Sequence, residues 1–139
     1  METILIAAHV IGAGVLIGLV VISTLIVFIP DLSESMLKVL ERVRWLGPAA
    51  SAWQFITGAG LYWLERDELS DSTLFWTKLG LYALEGVIAS MVIDGKIKRE
   101  RAKGADVVAA VKKMRAIYVV HALLIVSIAV LGVYLAKAH

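Results

Sequence analysis

The sequence predicts an all-α membrane protein, built as a bundle of four transmembrane helices with a short interfacial helix before the second. Two observations predict this fold. The 139 residues are 60% hydrophobic with a mean hydropathy of +0.83, which excludes an ordinary soluble domain. The apolar residues are gathered into four long stretches, and the charged residues lie mostly between them. A helix crosses a bilayer core of about 30 Å with about 20 apolar residues, and a backbone in lipid must satisfy its own hydrogen bonds.

Each of the four stretches is long enough to form a membrane-spanning helix. Three of them contain at least 20 consecutive residues without Asp, Glu, Lys or Arg, and the third in order is interrupted only by Lys78 and Glu85. Together they make one integral membrane domain over residues 1–139. We number the predicted spans 1 to 4 along the chain, and they cover approximately residues 2–29, 46–65, 73–94 and 115–137.

The chain between spans 1 and 2 has the pattern of an interfacial helix. Pro30 ends span 1, because proline breaks a helix, and Asp31 followed by Glu34 predicts a capping box. Gly47 and Pro48 then predict a bend into span 2. Between these points, apolar residues recur at helical spacing and predict a helix lying along the membrane surface. They are Met36, Leu37, Leu40 and Val43.

Capping residues and glycines place the boundaries of spans 3 and 4. Ser70 or Ser72 is predicted to begin span 3, since serine is a favoured N-cap residue. Gly95 is a weak break at the end of that span. Gly104 predicts a clearer break, and Asp106 is expected to be the N-cap of the helix that leads into span 4.

The charges are divided unequally between the two sides of the predicted bundle. The connections 30–44 and 94–115 hold 11 of the 14 Lys and Arg residues, whereas the loop 65–72 is acidic. The positive-inside rule therefore predicts a plasma-membrane protein whose two basic connections are cytoplasmic and whose termini are both outside. The same basic surface is expected to attract anionic lipid head groups. Because the topology already accounts for the positive charge, no nucleic-acid partner is expected.

Span 3 carries a polar face, which is costly in a membrane and needs an explanation. Lys78, Tyr82 and Glu85 are spaced i, i+4 and i+7, so they share one side of a helix and should face the bundle interior. Lys78 is close enough to the outer end to extend toward water, but Glu85 lies near the midplane. Glu85 is either a carboxylate that handles protons or pairs with a ligand, or a structural group bonded to Tyr82 or to another helix. Lys78 is its expected charged partner.

His9 and His121 are the histidines within the spans. At about 1.5 Å of rise per residue, each lies roughly 8 Å inside an opposite face of the membrane, which leaves about 15 Å between them along the membrane normal. We therefore expect two polar clusters rather than one shared site, and hydrogen-bonded packing histidines are the alternative to ligands. The expected outer cluster is His9, Tyr62 and Lys78, and the expected inner cluster is Gln54, Met91, Tyr118 and His121.

Small residues recur along the predicted spans. Gly14 and Gly18 form a GxxxG pair, which is typical of helices that pack closely in membranes. Such glycines would also let a flat ligand, such as a porphyrin, lie against the backbone. The chain has no cysteine, which excludes disulfides and thiolate metal ligands.

Four short segments in spans 1 to 3 resemble small membrane proteins of the CopD copper-resistance and HemJ-type protoporphyrinogen oxidase groups. The segments are HVIGAG at 9–14, ERVR at 41–44, TGAGLY at 57–62 and WTKL at 76–79. The resemblance implies a haem b or metal site near His9, with Lys78 contributing from span 3.

The function expected from these features is that of a membrane-embedded haem-binding, cytochrome-b-like redox protein. In this interpretation His9 is the metal ligand, Lys78 meets a propionate or a second ligand, and Tyr62, Glu85 and His121 complete the cofactor environment. The alternative is a small oligomeric transporter or channel, with Glu85, Lys78 and His121 along a polar path. An accessory subunit without chemistry of its own is a third interpretation. Whether the protein is an enzyme is left open.

Overall fold

The computed structural model describes residues 2–138, and the side chains of all of these except Glu68 and residues 136–138. All regular secondary structure in the described residues is helical, and they contain no β-strand. A π-helical segment, Ile88–Asp94, lies between α5 and α6. The α-helices are α1 (Glu2–Phe28), α2 (Glu34–Trp45), α3 (Gly47–Leu64), α4 (Arg66–Leu69), α5 (Thr73–Val87), α6 (Gly95–Ala102), α7 (Val107–Lys113) and α8 (Arg115–Ala138).

Three helical stretches are long and apolar enough to cross a membrane: Glu2–Phe28, Thr73–Ala102 and Arg115–Leu135. Spans 1, 3 and 4 are thereby confirmed as membrane-spanning candidates. Span 2 corresponds to α3, a helix of 18 residues that is not among the three. The second span therefore stays a prediction.

The interfacial helix α2 forms where it was predicted, but its cap differs. Ser33 is the N-cap, and its hydroxyl accepts a hydrogen bond of 3.3 Å from the backbone N–H of Met36. Glu34 is the first helical residue, so the predicted Asp31–Glu34 capping box is wrong. A serine one residue before the helix outcompetes Asp31, because its hydroxyl reaches the third N–H of the first turn.

The caps predicted for the later helices are confirmed. The Ser72 hydroxyl accepts from the N–H of Phe75 at 3.3 Å and begins α5. The Asp106 carboxylate accepts from the N–H of Ala109 at 3.0 Å and begins α7. Gly104 has a φ of +65°, the left-handed conformation that ends a helix and favours glycine.

The third span is longer than predicted. The helix does not end near residue 94 but continues through the π-helical segment into α6, as far as Ala102. Gly95 has ordinary right-handed helical angles, with φ −62° and ψ −37°. An isolated glycine weakens a helix by only about 1 kcal/mol, so without a proline or a competing cap it does not end one.

The buried residues form two apolar clusters at different depths of the bundle. The larger one joins α1 and α8 to the helices of the basic connections and includes Val27, Leu37, Ile93 and Val111. The second joins α1 and α8 further along and consists of Leu16, Val20, Ile125 and Ile128. The buried Ser23 lies between the two clusters along α1. The buried His121 lies between them along α8. A polar layer therefore separates the two apolar clusters.

The glycines of α1 differ in what surrounds them. A Cβ added at Gly12 would collide with the Trp53 indole of α3 and would lie 3.0 Å from the Gln54 side-chain oxygen. Gly14 and Gly18 have nothing within 4 Å of a Cβ, so the predicted GxxxG packing is not found within this chain. Close approach of α1 and α3 depends on Gly12 instead.

An alanine substitution at Gly12 should therefore lower the stability of the protein, whereas one at Gly14 should not. The Trp53 indole is held by a 2.9 Å hydrogen bond to the Ala8 carbonyl and cannot move freely, so Gly12→Ala should destabilise the protein by about 1–3 kcal/mol. Gly14→Ala should be neutral or stabilising by up to about 1 kcal/mol, because alanine favours a helix. Thermal unfolding of detergent-solubilised protein, followed by circular dichroism, measures both, and equal losses would contradict the packing described.

Candidate functional site

A carboxylate and an imidazole meet within the bundle. The Oε1 atom of Glu85, on α5, lies 2.7 Å from the Nε2 atom of His121, on α8. Glu85 is 3% exposed and His121 is 2% exposed, so neither group meets bulk solvent. This hydrogen bond ties α5 to α8 within the buried part of the bundle.

The partner of Glu85 is therefore His121, whereas the sequence analysis predicted Lys78. The Lys78 ammonium lies beside Gly132 of α8, where an added Cβ would be 3.1 Å from Nζ, and no ion pair among the described side chains includes it. Tyr82 is not bonded to Glu85 either, because its hydroxyl donates to the Ser51 carbonyl of α3 at 2.6 Å. Lys78 and Glu85 lie about two helical turns apart on α5. Of the two, Glu85 is the one whose depth α8 matches with an imidazole.

The pair lines a cavity of about 220 Å³. One wall is apolar and is formed by Leu16, Leu19 and Val20 of α1. At about 30 Å³ per molecule, the space would hold roughly seven waters. The polar lining consists of three hydroxyl groups and four ionisable groups: Ser23, Ser51, Ser90, Arg44, Glu85, Asp94 and His121.

A second ion pair lies on the same cavity, toward the basic connections. The Arg44 side chain is only 8% exposed, and its Nε donates to the Asp94 carboxylate at 2.7 Å. Its Nη2 donates to the Ala89 carbonyl at 2.9 Å, and its guanidinium lies 5.6 Å from the centre of the buried Tyr118 ring. The Ala89 carbonyl belongs to the π-helical segment, a feature that is frequent at functional sites. Arg44 thus links α2 to the third span and to α8.

One buried polar atom in the cavity wall has no protein partner. The Nδ1 atom of His121 is inaccessible to solvent and makes no hydrogen bond with the described residues. Native proteins satisfy most buried polar groups, through protein atoms, ordered water or a ligand. The imidazole therefore presents one nitrogen to Glu85 and one that is open to another partner.

His9 has a different environment. Its Nδ1 lies 2.9 Å from the Thr57 hydroxyl, which also lies 2.8 Å from the Trp53 carbonyl and 3.3 Å from the Gln54 carbonyl. In the tautomer in which Nδ1 donates to Thr57, Nε2 has a free lone pair. Metal-bound histidines are commonly oriented in this manner. Gly58 makes room for the ring, since an added Cβ there would lie 3.2 Å from the imidazole.

The two expected clusters are assembled only in part. In the outer one, Tyr62 stacks on Phe75 with ring centres 4.9 Å apart, and no hydrogen bond in the described part of the chain joins it to His9 or Lys78. In the inner one, Met91 is 69% exposed, whereas His121 is buried, so the two side chains are not brought together.

The residues present fit a haem only in part. His9 offers a ring nitrogen, but His121 shares its Nε2 with Glu85. The 220 Å³ cavity beside Glu85 is smaller than the roughly 300–1,000 Å³ of ordinary ligand pockets. Among the described residues, no group of three His, Asp or Glu side chains is placed to hold a metal ion.

No protein family model matches this sequence, and no curated protein or solved structure matches it either. The resemblance to the CopD and HemJ-type proteins therefore stays a prediction. The geometry of the buried polar residues is the basis on which a function can be assigned.

Proposed function

We propose that this chain is a four-helix membrane protein that moves protons through a polar cavity, as a small transporter or channel. The observation that carries the proposal is the buried Glu85–His121 pair on the wall of that cavity. Ionisable residues inside a membrane bundle are costly, and they recur as proton relays in pumps and transporters. Arg44 and Asp94 extend the polar path toward the basic connections.

The pair offers a route by which a proton can be received and released. With a proton on Nε2 and none on Nδ1, Glu85 and His121 together carry one negative charge, which an incoming proton neutralises, and Arg44 is neutralised by Asp94. A proton bound at Nδ1 of His121 would release the Nε2 proton across the 2.7 Å contact to Glu85, from which it leaves to the cavity. Lys78, which is separate from this pair, is not part of the path.

A proton flux that depends on Glu85 would test the proposal. Purified protein in liposomes containing a pH-sensitive dye should dissipate an imposed pH gradient, and Glu85→Gln should reduce the rate to that of protein-free vesicles. Asp71→Asn, which removes a carboxylate from the loop before α5, is the matched control and should leave the rate unchanged. A Glu85→Gln protein that conducts like the unaltered one would overturn the proposal.

In the proposed membrane arrangement, α3 is span 2 and crosses the membrane like the other three. Its large side chains Phe55, Ile56 and Trp63 are exposed, and a lipid environment would cover them. Because the basic residues are concentrated in the two connections, we propose that these are cytoplasmic, lie against anionic lipid and leave both termini outside the plasma membrane.

Cysteine labelling in intact cells tests this orientation. The chain has no native cysteine, so a single one at Ser70 should react with a membrane-impermeant reagent added outside. One at Gly104 should react only after the cells are opened. The reverse labelling pattern would contradict the orientation.

A haem-binding function is the second candidate, and the geometry of His9 favours it. The contact between Nδ1 and Thr57 orients the ring, and Nε2 makes no hydrogen bond with the described residues. Purified protein supplied with haem should then show a Soret band that His9→Ala abolishes and that His121→Ala, which alters the other site, leaves in place. Haem-supplied protein without a Soret band would exclude this candidate.

A further inference from the structure

The cavity beside Glu85 is closed toward the chain termini and continues toward the basic connections. We infer that the Glu85–His121 pair exchanges protons with one side of the membrane at a time, and that Tyr82 is the gate that closes it from the side of the termini. This inference rests on the proposed proton-moving function, and it assigns the mechanism of a transporter with alternating access rather than that of an open channel.

The lining of the cavity extends from the level of Glu85 toward the basic connections. Ser90 and Asp94 follow Glu85 along the third span, each at least one turn nearer to those connections, and Arg44 lines the same end. The Asp94 side chain is 35% exposed, so this end of the cavity is open on the side of the basic connections. Among the described residues, the lining includes none that precedes Glu85 on α5 and none that follows His121 on α8.

The second apolar cluster closes the cavity toward the termini. Its members on α8, Ile125 and Ile128, follow His121 by about one and two turns and are 3% and 6% exposed. Tyr82 packs against this cluster from α5, about one turn before Glu85. A proton needs water or a chain of hydrogen-bonded groups to cross such a layer, and a packed apolar layer excludes water. The pair is therefore separated from the side of the termini in this arrangement.

Tyr82 holds α5 against α3 at this apolar layer. Its hydroxyl donates a hydrogen bond of 2.6 Å to the carbonyl of Ser51, a residue that lines the cavity. In the part of the chain that the structure describes, no other hydrogen bond joins α3 to α5. The rest of the layer is aliphatic, so this bond is the directional contact that favours the closed arrangement. Its release would let the two helices separate and open Glu85 toward the termini.

The accessibility of single cysteines tests this one-sided opening. Because the chain has no native cysteine, Ser23→Cys places one thiol on the cavity wall. A membrane-impermeant cationic methanethiosulfonate suits a cavity lined by two carboxylates. In vesicles it should label this thiol from the side on which a cysteine at Gly104 reacts, and far more slowly from the side on which one at Ser70 reacts. Labelling from neither side, or at equal rates from both, would overturn the inference.

Removing the Tyr82 hydroxyl separates a gate from general loosening of the bundle. Tyr82→Phe, combined with the Ser23→Cys reporter, loses one hydrogen bond and should raise labelling from the Ser70 side about 2- to 10-fold. Labelling from the Gly104 side should stay unchanged. Tyr62→Phe is the matched control, because the Tyr62 hydroxyl makes no hydrogen bond with described residues, and it should change neither rate. Equal increases from both sides would overturn the role of Tyr82.

A second reporter keeps the test decisive if Ser23→Cys does not fold. Ser90→Cys, which lines the cavity from the third span, should be labelled from the same side. Glu85-dependent proton flux together with equal labelling from both sides would overturn this inference alone, whereas absence of that flux would overturn the proposed function.

Discussion

Replacing Glu85 by leucine is expected to destabilise the detergent-solubilised protein by about 3–5 kcal/mol, the usual cost of breaking a buried ion pair from one side. The substitution leaves His121 Nε2 buried without its 2.7 Å partner. His121→Leu should cost a comparable amount, because it strands the carboxylate. Replacing both residues by leucine should cost less than either single change, since no polar group then remains unpaired.

A double-mutant cycle in chemical denaturation measures this coupling. The sum of the two single losses should exceed the loss of the double variant by several kcal/mol. The same cycle on Lys78→Met and Glu85→Leu is the control, and it should be additive, because the structure gives Lys78 no contact with the carboxylate. Additive losses for the Glu85 and His121 cycle would show that the pair does not form.

Loss of Arg44 should have the second-largest effect on stability. Arg44→Leu removes the 2.7 Å bond to Asp94, the 2.9 Å bond to the Ala89 carbonyl and the contact with the Tyr118 ring. We expect a loss of about 2–4 kcal/mol, somewhat less than for Glu85, because Asp94 is 35% exposed and regains water.

Two further variants separate the geometry of Arg44 from its charge. Arg44→Lys should recover only part of the stability, since an ammonium cannot reproduce the planar contacts of a guanidinium. Arg42→Leu, on an exposed position of the same helix, should change the stability by no more than about 0.5 kcal/mol. The melting temperatures of the three variants measure these differences, and an Arg44→Lys protein as stable as the unaltered one would show that charge alone matters.

The helices were predictable because their signals are local. The apolar stretches around Ile4–Ile29 and Ala116–Ala136, and the caps at Ser72 and Asp106, depend on residues close in sequence. The end of the third span was not predictable, because Gly95 is compatible with both a break and a continued helix. Only the packing of Ile93 and Ile97 into one apolar cluster favours the continuous helix found in the structure.

The site was predictable residue by residue but not in its pairing. Glu85 and His121 were both singled out as polar groups within spans, yet the rotation of α8 about its axis decides which side chain reaches the carboxylate. The Arg44–Asp94 pair was missed, although one signal was present: two opposite charges lie at the membrane ends of neighbouring helices on the same predicted side. Thr57 was singled out only as part of the segment 57–62, and its contact with His9 was not predicted, since a single hydroxyl in an apolar helix usually bonds to its own backbone.

Magnetic resonance of protein labelled at the histidine ring nitrogens and glutamate carboxyl carbons would test the Glu85–His121 hydrogen bond most directly. The signals of His121 and Glu85 can be assigned from the variants His121→Gln and Glu85→Gln. Because the two groups lie 2.7 Å apart and are both buried, replacing either residue should shift the signal of the other. A His121 signal unaltered by Glu85→Gln, or a Glu85 signal unaltered by His121→Gln, would contradict a hydrogen bond between these two residues.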